Sequence, residues 1–167
     1  MTDIVDAATR SRIMRAVPRS STKPELALRK RLHALGHRYV LGGRGLPGSP
    51  DIVLPRWEAA VFVHGCFWHR HQGCRYTTNP STRPEFWQSK FEANVARDST
   101  VHAALLTEGW RVATVWECAL RKPEPVELAA DILAAWLQGD APELEIGETD
   151  LVAEIHGGCL ASPRRAE

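Results

Sequence analysis

The chain has 167 residues, of which 44% are hydrophobic and 25% are charged, and its formal net charge is +1. This composition is ordinary for a globular domain and excludes wholesale disorder, collagen and coiled-coil architectures. No apolar run approaches the roughly 18–20 residues that cross a bilayer, and the N-terminus lacks the pattern of a signal peptide. We therefore expect a cytoplasmic protein with one folded domain, whose four cysteines serve metal or thiol chemistry rather than disulfides.

Hydrophobic periodicity and turn residues predict alternating helices and strands. The chain begins with a short basic helix at 6–16, and a capping-box sequence at 22–25 then opens a helix that ends at Gly36. The following elements are strands at 39–41, 51–54 and 59–63, a long helix at 84–108, a strand at 110–116 and a helix at 126–137. This order predicts an α/β sandwich around a small mixed sheet, with an acidic, loosely packed tail from residue 140.

The charge is unevenly distributed along the chain. Residues 10–38 carry nine Arg or Lys side chains and one acid, whereas residues 124–167 carry ten acids and two Arg side chains. Such asymmetry is typical of a protein with a nucleic-acid-facing end and a solvated tail. A pair of solvated helix faces explains the charges equally well, so charge alone does not decide the partner.

Metal-ligating residue types are concentrated after the third predicted strand. Cys66, His71 and Cys74 are close in sequence, and Cys118 follows the fourth predicted strand, where it could complete a set of four. Thiolates and imidazoles are the usual ligands of tetrahedral structural zinc, so this stretch predicts a zinc site that clamps the loop to the sheet. The alternative is that these are incidental loop residues. Cys159 is expected to be an uncommitted thiol.

Aromatic side chains in the same region suggest contact with nucleic acid. Phe67, Trp68 and Trp87 lie near several arginines, and exposed rings beside cations can stack on bases or wedge between them. A hydrophobic mini-core over the metal is the alternative that the residues alone favour slightly.

An acid at the start of a strand gives a weaker indication of nuclease chemistry. Asp51 follows a proline and precedes the segment 62–64 by eleven residues, a spacing similar to a nuclease pattern in which carboxylates bind Mg²⁺ beside the scissile phosphate. The second half of that pattern is incomplete here. A buried aspartate that caps a strand is the default interpretation of this feature alone.

Taken together, several segments resemble the very short patch repair (Vsr) endonucleases, a family of bacterial T:G mismatch nickases. The resemblance covers roughly residues 6–121, in the order of the family. The matching segments are ATRSRIMRA at 8–16, LPGSPD at 46–51, HGCFWH at 64–69, EFW at 85–87, NVARD at 94–98, GWRV at 109–112 and VWECAL at 115–120. The Gly-Cys-Phe-Trp-His sequence is the most specific of these motifs.

The resemblance implies a restriction-endonuclease-like core of the PD-(D/E)xK type and Mg²⁺-dependent phosphodiester hydrolysis. It assigns Mg²⁺ to Asp51 and to the backbone carbonyl of Val63, where the family usually has Thr. Because a main-chain atom binds there, Val should serve. His69 matches the general base that activates water, and His64 matches a residue that supports the phosphate. Two further family acids, which orient water or the base, match Glu25 and Asp98.

The resemblance also assigns the metal and DNA contacts. The structural zinc ligands would be Cys66, His71, Cys74 and Cys118, although Gln72–Gly73 lengthens the spacing after His71 relative to the family and leaves the choice of histidine open. The residues that intercalate at the mismatch would be Phe67, Trp68, Trp87 and Met14. Residues 1–20 would then clamp DNA, 21–139 would form the endonuclease domain and 140–167 an acidic, flexible tail.

The implied function is a strand-specific nick in double-stranded DNA, 5′ to the thymine of a T:G mismatch that arises when 5-methylcytosine deaminates. We expect a bacterial, nucleoid-associated monomer, since one nick needs one active site, and repair helper proteins as further partners. Two alternatives stay open: a restriction-type endonuclease on the same fold, and a non-catalytic, zinc-stabilised DNA-binding module.

Overall fold

The computed structural model describes residues 9, 12, 21–43 and 45–156. Met14, most of the basic segment 1–20 and Cys159 lie outside the described residues. The helices are α1 (Lys23–Ala34), α2 (Cys66–His69), α3 (Pro84–Thr107), α4 (Pro123–Gln138) and α5 (Glu148–His156). The strands are β1 (Ile52–Leu54), β2 (Ala59–His64), β3 (Arg111–Trp116) and β4 (Glu143–Ile146). Among the described residues, none of the helices combines the length and apolar character of a membrane span.

The four strands form one mixed sheet in the order β1-β2-β3-β4. Strand β1 pairs antiparallel with β2, whereas β2–β3 and β3–β4 are parallel pairs. In the β2–β3 register His64 lies opposite Trp116, so these two strands end at the same edge of the sheet. The prediction of a small mixed sheet flanked by helices is confirmed, and residues that follow β2 and β3 meet at one edge.

Helices cover both faces of this sheet. Helices α1 and α4 contribute Leu28, Leu32 and Leu133 to the main core on one face. Helix α3 contributes Leu105, which packs with Val112 in a smaller core on the other face. Successive residues of a strand point to opposite faces, so the central strands contribute to both layers. The predicted α/β sandwich is therefore the observed architecture.

Two elements differ from the sequence-based expectation. The predicted strand at 39–41 is wrong, because Val40 makes only an isolated bridge with Val53, and Gly42 follows with a φ of 72° that turns the chain away. The expected loose packing from residue 140 is also wrong for the described part of the tail. Strand β4 pairs with β3, and both Ile146 and Leu151 are buried. The prediction was based on the acidic composition of the segment. It failed because the acids of β4 lie mainly on its exposed side.

We expect Leu133→Ala to destabilise the domain by about 2–5 kcal/mol, because this α4 side chain is fully buried and its truncation leaves a cavity in the main core. Chemical denaturation of the variant would measure this change. Leu26→Ala is the matched control, since Leu26 on α1 is 51% exposed and its truncation should change the free energy of unfolding by no more than about 0.5 kcal/mol. Equal effects of the two substitutions would contradict the assignment of the core.

Candidate functional site

Asp51 stands immediately before β1, and its carboxylate reaches the neighbouring strand. Its Oδ2 accepts a hydrogen bond of 2.8 Å from the backbone N–H of Val63. Burial raises the pKa of Asp51 to about 6, and this effect exceeds the opposing effect of the Val63 hydrogen bond. A partly desolvated carboxylate is a suitable ligand for a hard divalent cation, so the residue fits the magnesium role implied for it.

The loop that leads to Asp51 is held by close packing on α3. Gly48 has a φ of 71°, and a Cβ at this position would clash with Cγ1 of Val101. Only glycine satisfies both the backbone conformation and the contact. The Leu-Pro-Gly segment therefore fixes where the chain enters Pro50 and Asp51.

A buried ion pair lies behind Asp51. Glu25 and Arg29 are 3% and 7% exposed, and Arg29 Nη2 lies 2.9 Å from Glu25 Oε2. The same Nη2 donates to the backbone carbonyl of Asp51 at 3.1 Å, which ties α1 to the start of β1. Arg29 was not predicted as a site residue, because its spacing of four residues from Glu25 is that of an ordinary helical ion pair.

The capping box predicted at 22–25 does not form. The Thr22 side chain makes no capping hydrogen bond to the helix and instead donates to Glu25 Oε1 at 2.8 Å. The other Glu25 oxygen accepts from the backbone N–H of Ser21. The physical reason is that Glu25 turns inward to pair with Arg29, so its carboxylate serves the polar cluster behind Asp51.

Three side chains from β2, α2 and α3 meet at the edge where β2 ends. The imidazole rings of His64 and His69 stack with centroids 3.9 Å apart, and His69 Nδ1 lies 2.5 Å from Asp98 Oδ2. When Nδ1–H donates to Asp98, His69 Nε2 keeps a free lone pair that can accept a proton. The ligand atoms of the three residues lie within 4.8 Å of one another, so they also form a candidate metal group. The hydrogen bond between His69 and Asp98 favours the interpretation as a base and its orienting acid.

The surroundings of Asp98 and of His64 lower the pKa of both side chains, for different reasons. Burial raises the pKa of Asp98, but the hydrogen bond and charge of His69, with smaller contributions from His64 and Arg97, outweigh it, so the pKa is lowered. Burial, followed by the neighbouring His69, lowers the pKa of His64 to about 3. In the DNA-free protein His64 is therefore neutral near pH 7 and can contact a phosphate only as a neutral hydrogen-bond donor.

The low pKa of His64 leads to a testable pH dependence of stability. The unfolded chain binds a proton at His64 near the ordinary pKa of 6.5, whereas the folded protein does so only near 3. The contribution of His64 to the free energy of unfolding is therefore present above pH 6.5 and is lost as the pH falls toward 3. The slope is at most about 1.4 kcal/mol per pH unit. Denaturant titrations between pH 4 and 7 should show a shallower pH dependence for His64→Gln than for wild type; parallel curves would contradict this.

The aromatic residues form a cluster between α2 and α3. Phe67 lies 5.1 Å from Trp68 and 5.7 Å from Trp87, measured between ring centroids, and all three rings are partly buried. Phe91, which the sequence analysis did not single out, packs against Phe67 and Trp87, and Arg70 lies over its ring at 4.4 Å. The structure thus brings together the three described residues that were predicted to intercalate.

The four predicted zinc ligands also meet. Cys66, His71, Cys74 and Cys118 place one ligand atom each within 4.8 Å of the others. His71 Nδ1 lies 3.7 Å from Cys66 Sγ and 3.5 Å from Cys118 Sγ. Tetrahedral zinc with ordinary bond lengths would separate a sulfur and a nitrogen ligand by about 3.6 Å, so the residues fit such an ion. Both His69 and His71 precede the Gln72–Gly73 segment that lengthens the spacing. Of these two histidines, His71 has the ring nitrogen that faces the thiols.

The pKa values of the Cys118 and Cys66 thiols in this cluster are shifted in opposite directions. The hydrogen bond from Cys66 lowers the pKa of the Cys118 thiol to about 5 against the effect of burial, and the backbone N–H of Glu148 contributes in the same direction. The same hydrogen bond and burial raise the pKa of Cys66. The site therefore favours a thiolate at Cys118, which is the form that binds metals.

Comparison with known proteins places this chain in a family. Residues 2–75 match the family model described as DNA mismatch endonuclease Vsr. The chain is 40% identical over 148 residues to the DNA mismatch endonuclease Vsr of Escherichia coli strain K12, an alignment that covers 87% of this chain and 94% of that protein. It is 49% identical over 120 residues to the type II nicking enzyme V.XorIIP of Xanthomonas oryzae pv. oryzae, with 72% and 88% covered.

A third relative is the type II nicking enzyme V.NaeI of Lentzea aerocolonigenes, 45% identical over 115 residues that cover 66% of this chain and 68% of that protein. These relatives are named as a DNA mismatch endonuclease and as nicking enzymes, and their high identity over most of the chain makes this protein a nuclease that acts on DNA. The chain belongs to the Vsr family of DNA mismatch endonucleases.

Proposed function

We propose that the protein is a Mg²⁺-dependent, strand-specific endonuclease that nicks double-stranded DNA 5′ to the thymine of T:G mismatches left by deamination of 5-methylcytosine, and so initiates very short patch repair. The observation that carries this proposal is the His69–Asp98 pair, which lies at the end of β2, the strand whose Val63 N–H holds the Asp51 carboxylate. The nicking enzymes among the relatives support a cut in one strand. The fold class that we propose is a restriction-endonuclease-like core.

The catalytic roles that we propose rest on the hydrogen bonds and positions of the side chains. His69 Nε2 would take a proton from water, and Asp98 would hold the ring in the required tautomer and stabilise the imidazolium that forms. Asp51 and the Val63 carbonyl would hold Mg²⁺, which when bound supplies charge neutralisation at the scissile phosphate. His64 would donate a hydrogen bond to the phosphate as a neutral imidazole. Glu25, fixed by Arg29, would orient water near Asp51.

The mismatch specificity that we propose rests on the aromatic cluster. Phe67, Trp68 and Trp87 would enter the base stack beside the mismatch, with Met14 acting from the opposite groove. Intercalation costs unstacking energy of a few kcal/mol per step, and a poorly stacked T:G wobble pair lowers that cost. Packing on the buried Phe91 supports this role, because it restrains the rings before DNA binds.

We also propose that Cys66, His71, Cys74 and Cys118 bind a structural zinc ion. The supporting observation is the match between the nitrogen–sulfur distances and a tetrahedral site. Four protein ligands leave no open position, so this ion would stabilise the fold and take no part in hydrolysis. We further propose that the protein acts as a monomer in the bacterial nucleoid, together with helper repair proteins.

The test is a cleavage assay on a duplex with one T:G pair in a cytosine-methyltransferase site, with each strand labelled separately. We expect a nick 5′ to the thymine that needs added Mg²⁺ and is absent from Asp51→Ala. A duplex with a T:A pair at the same position is the matched control and should stay intact. Equal cutting of both duplexes would favour a restriction-type enzyme. Tight binding of the mismatched duplex with no cut under any metal would favour a binding module.

A further inference from the structure

The metal cluster has neighbours that none of the proposed roles uses. The backbone N–H of Glu148, the first residue of α5, donates to Cys118 Sγ at 3.3 Å. The preceding residue, Gly147, donates its own N–H to Asp150 Oδ2 at 2.7 Å, which fixes the start of the helix. The segment from residue 140 was predicted to be a loose tail. Instead, the junction between β4 and α5 lies directly against Cys118, a candidate metal ligand.

Gly147 is in close contact with the histidine of the cluster. A Cβ at Gly147 would lie 2.8 Å from His71 Cε1 and 3.1 Å from His71 Nε2. The imidazole cannot easily move away, because it stacks on Trp116 with centroids 4.2 Å apart and planes 4° apart. Its Nδ1 already faces the Cys66 and Cys118 sulfurs. The absence of a side chain at position 147 is therefore what lets His71 occupy its position.

Further contacts tie the same segment to the cluster. Trp116 Nε1, on the ring that stacks on His71, donates to Glu145 Oε1 at 2.6 Å. Arg75, the residue after Cys74, pairs with Glu148 Oε1 at 2.6 Å. The segment 145–148 thus contacts two of the four candidate ligands, Cys118 and His71, and pairs with the residue that follows a third.

We propose that residues 145–148 are the outer shell of this metal site. In this arrangement the Glu148 amide, which donates to Cys118 Sγ, holds that sulfur in place, and Gly147 with the Trp116–Glu145 pair sets the position of His71. Outer-shell partners orient the ligands and tune metal affinity, and their loss typically costs 10–100-fold in affinity. The reciprocal consequence is that metal binding would hold the junction between β4 and α5 against the residues that follow β2 and β3. This inference rests on the zinc site proposed above.

A pair of substitutions at one position isolates the amide. Glu148→Pro removes the N–H at the first position of a helix, where proline is well tolerated, and Glu148→Ala removes the Arg75 ion pair but keeps the N–H. We expect Glu148→Pro to bind Zn²⁺ at least about tenfold more weakly than Glu148→Ala in competition with a chromophoric chelator. Equal affinities for the two variants would overturn the proposed role of the amide.

A second pair of variants tests the role of Gly147. It keeps the proposal testable if Glu148→Pro does not fold. Gly147→Ala should weaken Zn²⁺ binding at least about tenfold and shift the thiolate charge-transfer absorption of the Co²⁺-loaded protein. Gly139→Ala is the matched control, since its Cβ would meet only the Trp136 carbonyl at an ordinary 3.7 Å. Identical affinity and spectra for the two variants would overturn the inference. A wild-type protein that takes up no Zn²⁺ would instead refute the zinc site itself.

Hydrogen exchange tests the reciprocal effect in the full chain. Removing the metal should speed amide exchange in residues 143–151 more than in α4, which packs in the main core away from the cluster. Uniform acceleration of both segments, or none in the first, would contradict a specific link between the ion and the C-terminal segment.

Discussion

Replacing His69 by alanine is expected to lower the rate of T-strand nicking by about 10²–10⁴-fold, because the variant loses the group that we propose takes a proton from water. The hydrogen bond between His69 Nδ1 and Asp98 determines which nitrogen is free, so Asp98→Asn should also reduce the rate while leaving the ring in place. Single-turnover cleavage of the mismatched duplex measures the chemical step. Binding of the same duplex should change little in both variants.

The matched control for this prediction is His33→Ala. His33 lies on the exposed side of α1, away from the candidate active site, and its removal should leave the nicking rate unchanged. A nicking rate for His69→Ala within threefold of wild type would show that another group activates the water. In that case the stacked pair of His64 and His69 would need a different interpretation, with metal binding by His64, His69 and Asp98 as the first to test.

The largest expected effect on stability comes from the metal site. Cys118→Ser removes a proposed zinc ligand that would join the loop after β2 to the residues after β3, and we expect the purified variant to lose its zinc. An ion present at a thousand times its dissociation constant stabilises the folded state by about 4 kcal/mol. For a chain of this size each kcal/mol corresponds to roughly 2–4 °C, so the Tm should fall by about 8–16 °C.

Metal content by elemental analysis and Tm by calorimetry would check this prediction together. Cys159→Ser is the matched control, since the sequence predicts this thiol to be uncommitted and the substitution is chemically identical. Wild-type zinc content and Tm in Cys118→Ser would contradict the assignment of Cys118 as a ligand. A loss of both in Cys159→Ser would show that the set of ligands has been chosen wrongly.

Local patterns were sufficient to predict most of the secondary structure. The helix that ends at Gly36, the long helix from Pro84 and the strands on either side of the Pro55 turn all follow from periodicity and turn residues, and the structure confirms them. The failures have a common physical origin. Residues 39–41 were judged by their local pattern and the segment after 140 by its composition, whereas pairing with a neighbouring strand decides whether such segments become part of a sheet.

The candidate site, like the fold, was predictable from the sequence only in part. The residues proposed to hold zinc, activate water and stack on bases were recognisable in the sequence, because each chemistry demands particular side chains at short spacing. The contributions of Arg29, Phe91, Gly147 and the Glu148 amide were not recognisable. An arginine four residues from a glutamate, a phenylalanine in a helix or a glycine before a helix occurs in many places without such a role.

By itself, the amino-acid sequence determined the chemical inventory of this protein, its family and the order of its main elements. Only the tertiary structure decided which of these groups meet. His71 and Cys118 are 47 residues apart and come together because β2 and β3 pair in parallel and end at the same edge. Asp98 reaches His69 because α3 packs beside α2. Such contacts depend on strand register and helix packing, which arise from the burial of the whole core and cannot be read from any single segment.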